Sequence, residues 1–206
     1  MTDWLPPGFF ATALLYASVG FGGGSTYSAL LSLAGFSFLL LPLVSLACNV
    51  VVVSGSTMRF ARAGIIPWQR ALLLSAIAAP LAFLGGLTPI REELFLALLG
   101  LGLVASGLAL LLPRAPELEG APAPAARYMA FAAAPLGYLA GLVGIGGGIF
   151  LAPLLHLSRW AGARQITATT SLFILINSLA GLAGQLAKSG PDRFGEALSG
   201  ALPLLF

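Results

Sequence analysis

The sequence predicts an all-α fold: a polytopic transmembrane helical bundle with an internal repeat and glycine-broken helices, the second repeat incomplete. Three observations carry this. First, 58% of the 206 residues are hydrophobic and only 8% are charged, where a soluble domain has about 25% charged residues; mean hydropathy is +0.98. Second, the charges fall in a few clusters that leave uncharged runs of membrane-crossing length. Third, a glycine-rich hexapeptide occurs twice, 124 residues apart, inside apolar sequence. Gly (26) and Pro (14) are abundant within these apolar runs, and helix breakers survive at membrane depth only where the freed backbone faces protein or a watered cavity.

The charge clusters set the elements. After Asp3 the next charge is Arg59; the further clusters are Arg62 and Arg70, Arg91 to Glu93, Arg114 to Arg127, Arg159 and Arg164, and Lys188 to Glu196. A helix needs about 20 apolar residues to cross the hydrocarbon. Spans are therefore expected at 9–33, 38–58, 71–89, 93–112, 128–155 and 166–187, with a seventh starting near 197 and cut off by the end of the sequence. The start, Met1-Thr2-Asp3-Trp4, has no basic region, and the apolar run after it exceeds a signal-peptide core, so a cleaved signal is not expected. The single Cys48 gives neither a disulfide nor a thiolate metal site. Residues 1–112 form a first repeat of about four spans, the Pro-rich stretch 113–127 a linker, and 128–206 a second repeat of two and a half to three spans. If the native chain is longer, about 40 further apolar residues, two spans at about 20 each, would complete the second unit.

The repeat is read from Val19-Gly20-Phe21-Gly22-Gly23-Gly24 against Val143-Gly144-Ile145-Gly146-Gly147-Gly148, five identities in six. A slip of two residues then aligns Ser45 with Ser171, Gly55 with Gly181, Gly64 with Gly190 and Ala71 with Ala197. Each interior Gly costs about 1 kcal/mol against Ala, so three in a row should break the helix. The half-helices that follow, starting near Ser25 and Ile149, then aim their positive ends at unwound backbone, a geometry suited to small anions. Tight helix packing by small residues is the plain alternative, but paired interruptions at matching places in two repeats point to a transport site. A nucleotide loop is excluded because no Lys-Ser/Thr follows.

These residues resemble the sulfite exporter TauE/SafE family of membrane permeases. The resemblance rests on Gly-X-Gly-Gly-Gly early in each half, followed by a helix ending in an Arg/Lys-X-Gly type of loop: Ala47-Cys48-Asn49 running to Arg59 to Gly64, and Ala168-Thr169-Thr170-Ser171-Leu172-Phe173 running to Lys188-Ser189-Gly190. It implies about eight spans and transport of sulfite, sulfur-containing organic acids or related small anions. This sequence departs from that pattern by ending inside the seventh span.

Polar residues within spans are costly unless they face the bundle or a pathway. The candidates for substrate binding are Gly22, Gly23, Gly24, Ser25, Asn49, Gly146, Gly147, Gly148, Thr170, Ser171 and Asn177. Ser and Thr often bond their own helix, and Asn49, Asn177 and Gln185 could equally be interhelical glue. Arg59, Arg62 and Arg164 could attract anions to the mouths, or serve topology and lipid headgroups. His156, the only His, stands at the end of a span, three residues before Arg159. No Asp or Glu falls in the interior of a complete span, so a carboxylate proton relay has no member. No nucleophile and base suit a hydrolase, so the chain is not read as an enzyme; a non-transporting membrane scaffold or assembly factor is the rival reading. No cofactor, metal or nucleic-acid partner is expected; the partners are a small anion and the lipid bilayer, with self-association as a homo-oligomer left open. Counting Lys and Arg over loops 59–70, 113–127 and 188–196 against 90–92 and 156–165 gives seven to three, which favours an inner-membrane protein with a cytoplasmic N-terminus. Arg159 and Arg164 sit awkwardly in that scheme. Four full spans per repeat would give the halves one orientation, whereas a re-entrant broken segment would invert them; the sequence leaves both open.

Overall fold

The computed structural model describes residues 4–111, 126–189 and 195. The expected seventh span and most of the linker lie outside the described residues. The elements are helices: α1 (Leu5–Val19), α2 (Gly24–Leu33), α3 (Leu41–Arg62), α4 (Trp68–Leu87), α5 (Glu92–Leu111), α6 (Ala126–Val143), α7 (Gly148–Leu157) and α8 (Ala163–Ser189). Local chemistry sets several boundaries. Pro occupies the first turn of α1 and of α3 and the cap of α4, where its missing N–H costs nothing. Glu92 and Glu93 sit in the first turn of α5, favourable to the helix dipole.

Both glycine segments interrupt the helix, and the helix before each break closes in the same way, although Gly146 and Gly147 are left-handed where Gly22 and Gly23 are not. Gly20 and Gly144 adopt left-handed φ of 84° and 76°. In each case two successive N–H groups return to one carbonyl: Gly20 and Phe21 donate to Tyr16 O at 2.9 Å, and Gly144 and Ile145 donate to Ala140 O at 2.9 and 3.1 Å. This closes the helix where only glycine is unstrained. The two half-helices α2 and α7 are each 10 residues long, about 15 Å or half the hydrocarbon thickness.

The half-helices do not continue in the direction of the helices before them. α1 runs alongside α3 in the same sense, with Arg59 Nη2 donating to Ala17 O at 2.9 Å and Gly20 against Phe60. α2 then returns along α1: Gly23 meets Thr12, Phe9 stacks on Tyr27 at 4.8 Å, and Gly8 meets Leu30. In the second half, α6 runs parallel to α4, pairing Gly137 with Ala78 and Gly141 with Ala82. α7 returns, with Gly147 against Ala140, and Leu151 and Leu155 in one apolar cluster with Ala133. The expectation that 9–33 and 128–155 each cross the membrane once is therefore corrected: each is a re-entrant hairpin that leaves by the face it entered. The remaining long apolar helices, α3, α4, α5 and α8, are the four candidate crossings among the described residues.

The hairpins change which loops share a face. The start of α1, the 34–40 loop, the 88–91 turn and the end of α8 lie together, as the packing of Leu5, Leu31, Leu41 and Phe95 in one cluster and the approach of Lys188 Nζ to Thr88 O show. This is the amino-terminal face. The 63–67 turn, the end of α5, the start of α6 and the 158–162 turn lie at the other, the arginine face. Residues 59–70 and 188 are thus on opposite faces, not one, and the grouping of loops behind the seven-to-three count is corrected.

α3 and α8 cross antiparallel at the centre: Ser171 Oγ bonds Ser56 Oγ at 2.8 Å and Thr57 Oγ1 at 3.1 Å, while Leu46, ten residues before Ser56, meets Gly181, ten residues after Ser171. α4 makes its largest contacts with α6 and α8, backbone to backbone. A Cβ on Gly85, Gly86, Gly141 or Gly184 would fall on a carbonyl oxygen of Tyr138, Gly181, Ala82 or Phe83 respectively. Small residues permit this approach in lipid, where packing rather than water drives association. The outer surface carries exposed Phe10, Leu33, Leu101, Leu111 and Phe131, as a lipid-facing surface should.

Candidate functional site

The two breaks meet beside the α3–α8 crossing, and Asn49 of α3 stands between them. Its side chain is 0% exposed, and neither Oδ1 nor Nδ2 has a hydrogen-bond partner. Three motif glycines surround it. A Cβ on Gly22 would lie 2.5 Å from Asn49 Oδ1, one on Gly24 would collide with Nδ2, and one on Gly146 would lie 2.9 Å from Nδ2 and 2.7 Å from Ser178 Oγ. The glycines thus do more than break a helix; they clear the space in which one amide touches both hairpins.

The remaining expected residues divide. Gly148 packs on Ile174 and Thr170, and Thr170 Oγ1 is buried without a partner. Ser25 is 3% exposed in the first turn of α2. Gly23 and Gly147 face away from Asn49, toward Thr12 and Tyr27 in one case and Ala140 and Phe173 in the other. Ser171 is occupied in the α3–α8 bonds already described. Asn177 donates from Nδ2 to Phe173 O at 2.8 Å, leaving Oδ1 unpartnered. Gln185 donates to Gly141 O at 3.1 Å and so acts as glue. One residue outside the expected set belongs with the site: Ser178, beside Gly146 and 0% exposed with an unpartnered hydroxyl; Ser28 and Thr169 are likewise buried with unpartnered hydroxyls. Ser28 carries no signal in sequence, because a helical Ser ordinarily bonds its own backbone.

Neither α2 nor α7 has a side-chain cap. Their first N–H groups therefore lack the usual acceptor, and each helix start carries about half a positive charge. No Asp, Glu, Lys or Arg is buried among the described residues. The centre holds the Asn49 amide, neutral hydroxyls and two helix starts, whose positive ends suit an anion, with no fixed charge among the described residues to repel or trap it.

A cavity of about 560 Å³ leads toward this centre from the arginine face. His156, Ala163 and Thr167 line its outer part, and Gly22, Ser25 and Ile145 line it beside the breaks. Tyr16, also on its wall, bonds Thr26 Oγ1 at 2.9 Å. Arg59, a candidate for drawing anions to the mouth, is engaged with the end of α1.

The family description for the sulfite exporter TauE/SafE family matches residues 5–205. The chain belongs to that family. As a TauE/SafE member it is also 34% identical over 192 residues, 87% of its own length and 74% of the relative's, to the "Probable membrane transporter protein y4hK" of Sinorhizobium fredii. No solved structure matches it. This TauE/SafE chain is thus a multi-pass membrane protein of a transporter family.

Proposed function

We propose that the protein carries a small anion, sulfite or a related sulfur-containing or carboxylate anion, across the inner membrane through the site around Asn49. The observation that carries this reading is a fully buried amide, with both polar atoms unpartnered, held between two uncapped helix starts. Leaving a buried donor unpaired costs about 1–3 kcal/mol, a cost that an anion accepting from Asn49 Nδ2 offsets. The hydroxyls of Thr170 and Ser178, beside Gly148 and Gly146, extend the donor set. Support for sulfite in particular comes from the family description alone.

The reading includes an inverted pair of units, one of α1 to α5 and one beginning at α6. It is supported by the matching helix closures at Gly20 and Gly144, the equal half-helices, and the odd number of crossings in α3, α4 and α5. Inverted units around a midplane site are a common basis for alternating access.

Purified protein in proteoliposomes should move sulfite, an alkanesulfonate or a simple carboxylate down a gradient, and Gly22→Leu should abolish that flux while insertion is retained. At Gly22, which lines the cavity, a Cβ would stand 2.5 Å from Asn49 Oδ1 and 3.1 Å from Ile174. No flux of any of these anions by the wild type, or undiminished flux in the variant, overturns the reading.

A further inference from the structure

We infer that the arginine face is cytoplasmic and the amino terminus external, so that the 560 Å³ cavity opens to the cytoplasm. If each broken segment crossed the membrane, Arg159 and Arg164 would lie opposite Arg59, Arg62 and Arg70. Because each segment folds back, all five lie on one face, together with Arg127 at the start of α6. The described basic residues on the amino-terminal face are Arg91 and Lys188, and Arg91 lies 3.5 Å from Glu93. Basic residues close to membrane-crossing ends concentrate on the cytoplasmic side, and six of the eight Lys and Arg among the described residues lie on the arginine face.

Access to the breaks differs between the two faces. The cavity on the arginine face reaches Gly22, Ser25 and Ile145. On the amino-terminal face the corresponding approach is filled: Tyr27, Leu31, Leu43, Leu142 and Val143 are buried in a single cluster. A smaller cavity of about 190 Å³ there, lined by Phe38, Leu142, Gln185 and Lys188, reaches none of the motif glycines. Among the described residues, the larger cavity reaches the motif glycines from the arginine face and the smaller one on the opposite face does not. With the orientation assigned here, the described state admits an anion from the cytoplasm, the loading state an exporter needs. Loading from the cytoplasm rests on the proposed passage of an anion through the site; the orientation does not.

The test uses single cysteines in a Cys48→Ala background, at three exposed positions and one buried one. Ser37→Cys lies on the amino-terminal face, and Ala63→Cys and Gln165→Cys lie on the arginine face. In spheroplasts, an impermeant maleimide should label Ser37→Cys and spare Ala63→Cys and Gln165→Cys, both of which should label once the membrane is permeabilised. Labelling of Gln165→Cys alongside Ser37→Cys overturns the hairpins, and labelling of both Ala63→Cys and Gln165→Cys with Ser37→Cys spared overturns the orientation. Ser25→Cys then reads the cavity: an impermeant methanethiosulfonate should modify it in inside-out vesicles and not in right-side-out ones. The reverse result overturns cytoplasmic opening while the maleimide pattern stands. These labelling results do not depend on flux, so failure of the transport reading is separable from failure of the orientation.

Discussion

Asn49 is legible as a candidate because an amide in an uncharged span needs partners, yet its setting is not. The glycines that make room for it lie 27, 25 and 97 residues away at Gly22, Gly24 and Gly146, and sequence spacing says nothing of such clearances. Its lack of partners yields a prediction that separates ligand binding from glue. Asn49→Ala should lower anion flux at least about tenfold, the loss of one charge-assisted hydrogen bond. It should leave the thermal midpoint in detergent unchanged or raised, because it removes an unsatisfied buried group. Ser171→Ala should do the opposite. Its bonds to Ser56 and Thr57 are each worth about 1 kcal/mol, so the midpoint should fall by several degrees with flux retained. A fall in stability for Asn49→Ala comparable to that of Ser171→Ala would assign both residues to packing.

At the scale of the element, the helix breaks can be read from glycine propensity because that signal is local. The returns of α2 and α7 cannot. An apolar run of about 25 residues suits one broken crossing or one hairpin equally, and the choice depends on contacts such as Phe9 with Tyr27 and Gly8 with Leu30, which close only in the folded chain. The abundant glycine also divides into two kinds that composition does not distinguish. Gly141 faces the backbone of α4, with its missing Cβ directed at Ala82 O, whereas Gly107 of α5 has nothing within 4 Å of that position. Gly141→Ala should therefore destabilise the protein by about 1–3 kcal/mol, the usual cost of overpacking. Gly107→Ala should be neutral or stabilising by up to about 1 kcal/mol. Thermal unfolding of the two variants in one detergent checks the contrast.

For the whole molecule, the all-helical class follows directly from hydropathy and charge gaps, and the structure adds the sense of each crossing. That sense reassigns the loops to faces and makes the arginines a single group. It also leaves α5 ending and α6 starting at one face, so the stretch between them need not cross anything. Co-expression of residues 1–111 with residues 126–206 should then yield a complex that copurifies and keeps the stability of the intact chain to within a few degrees. Failure of the two pieces to associate would show that continuity through the linker is required.

The backbone packing of α4 has a consequence in time. Its glycine and alanine faces are completed by α6 and α8, of which the last partner, Gly184, is made about 100 residues later, on the order of 5–20 s at ordinary rates of synthesis. Throughout that interval α4 must wait in the bilayer with its narrow faces against lipid tails. The chronology of translation therefore makes α8 the element that locks the bundle, and a ribosome stalled before Gly184 should leave α4 open to crosslinking by lipid-borne probes that the finished protein excludes.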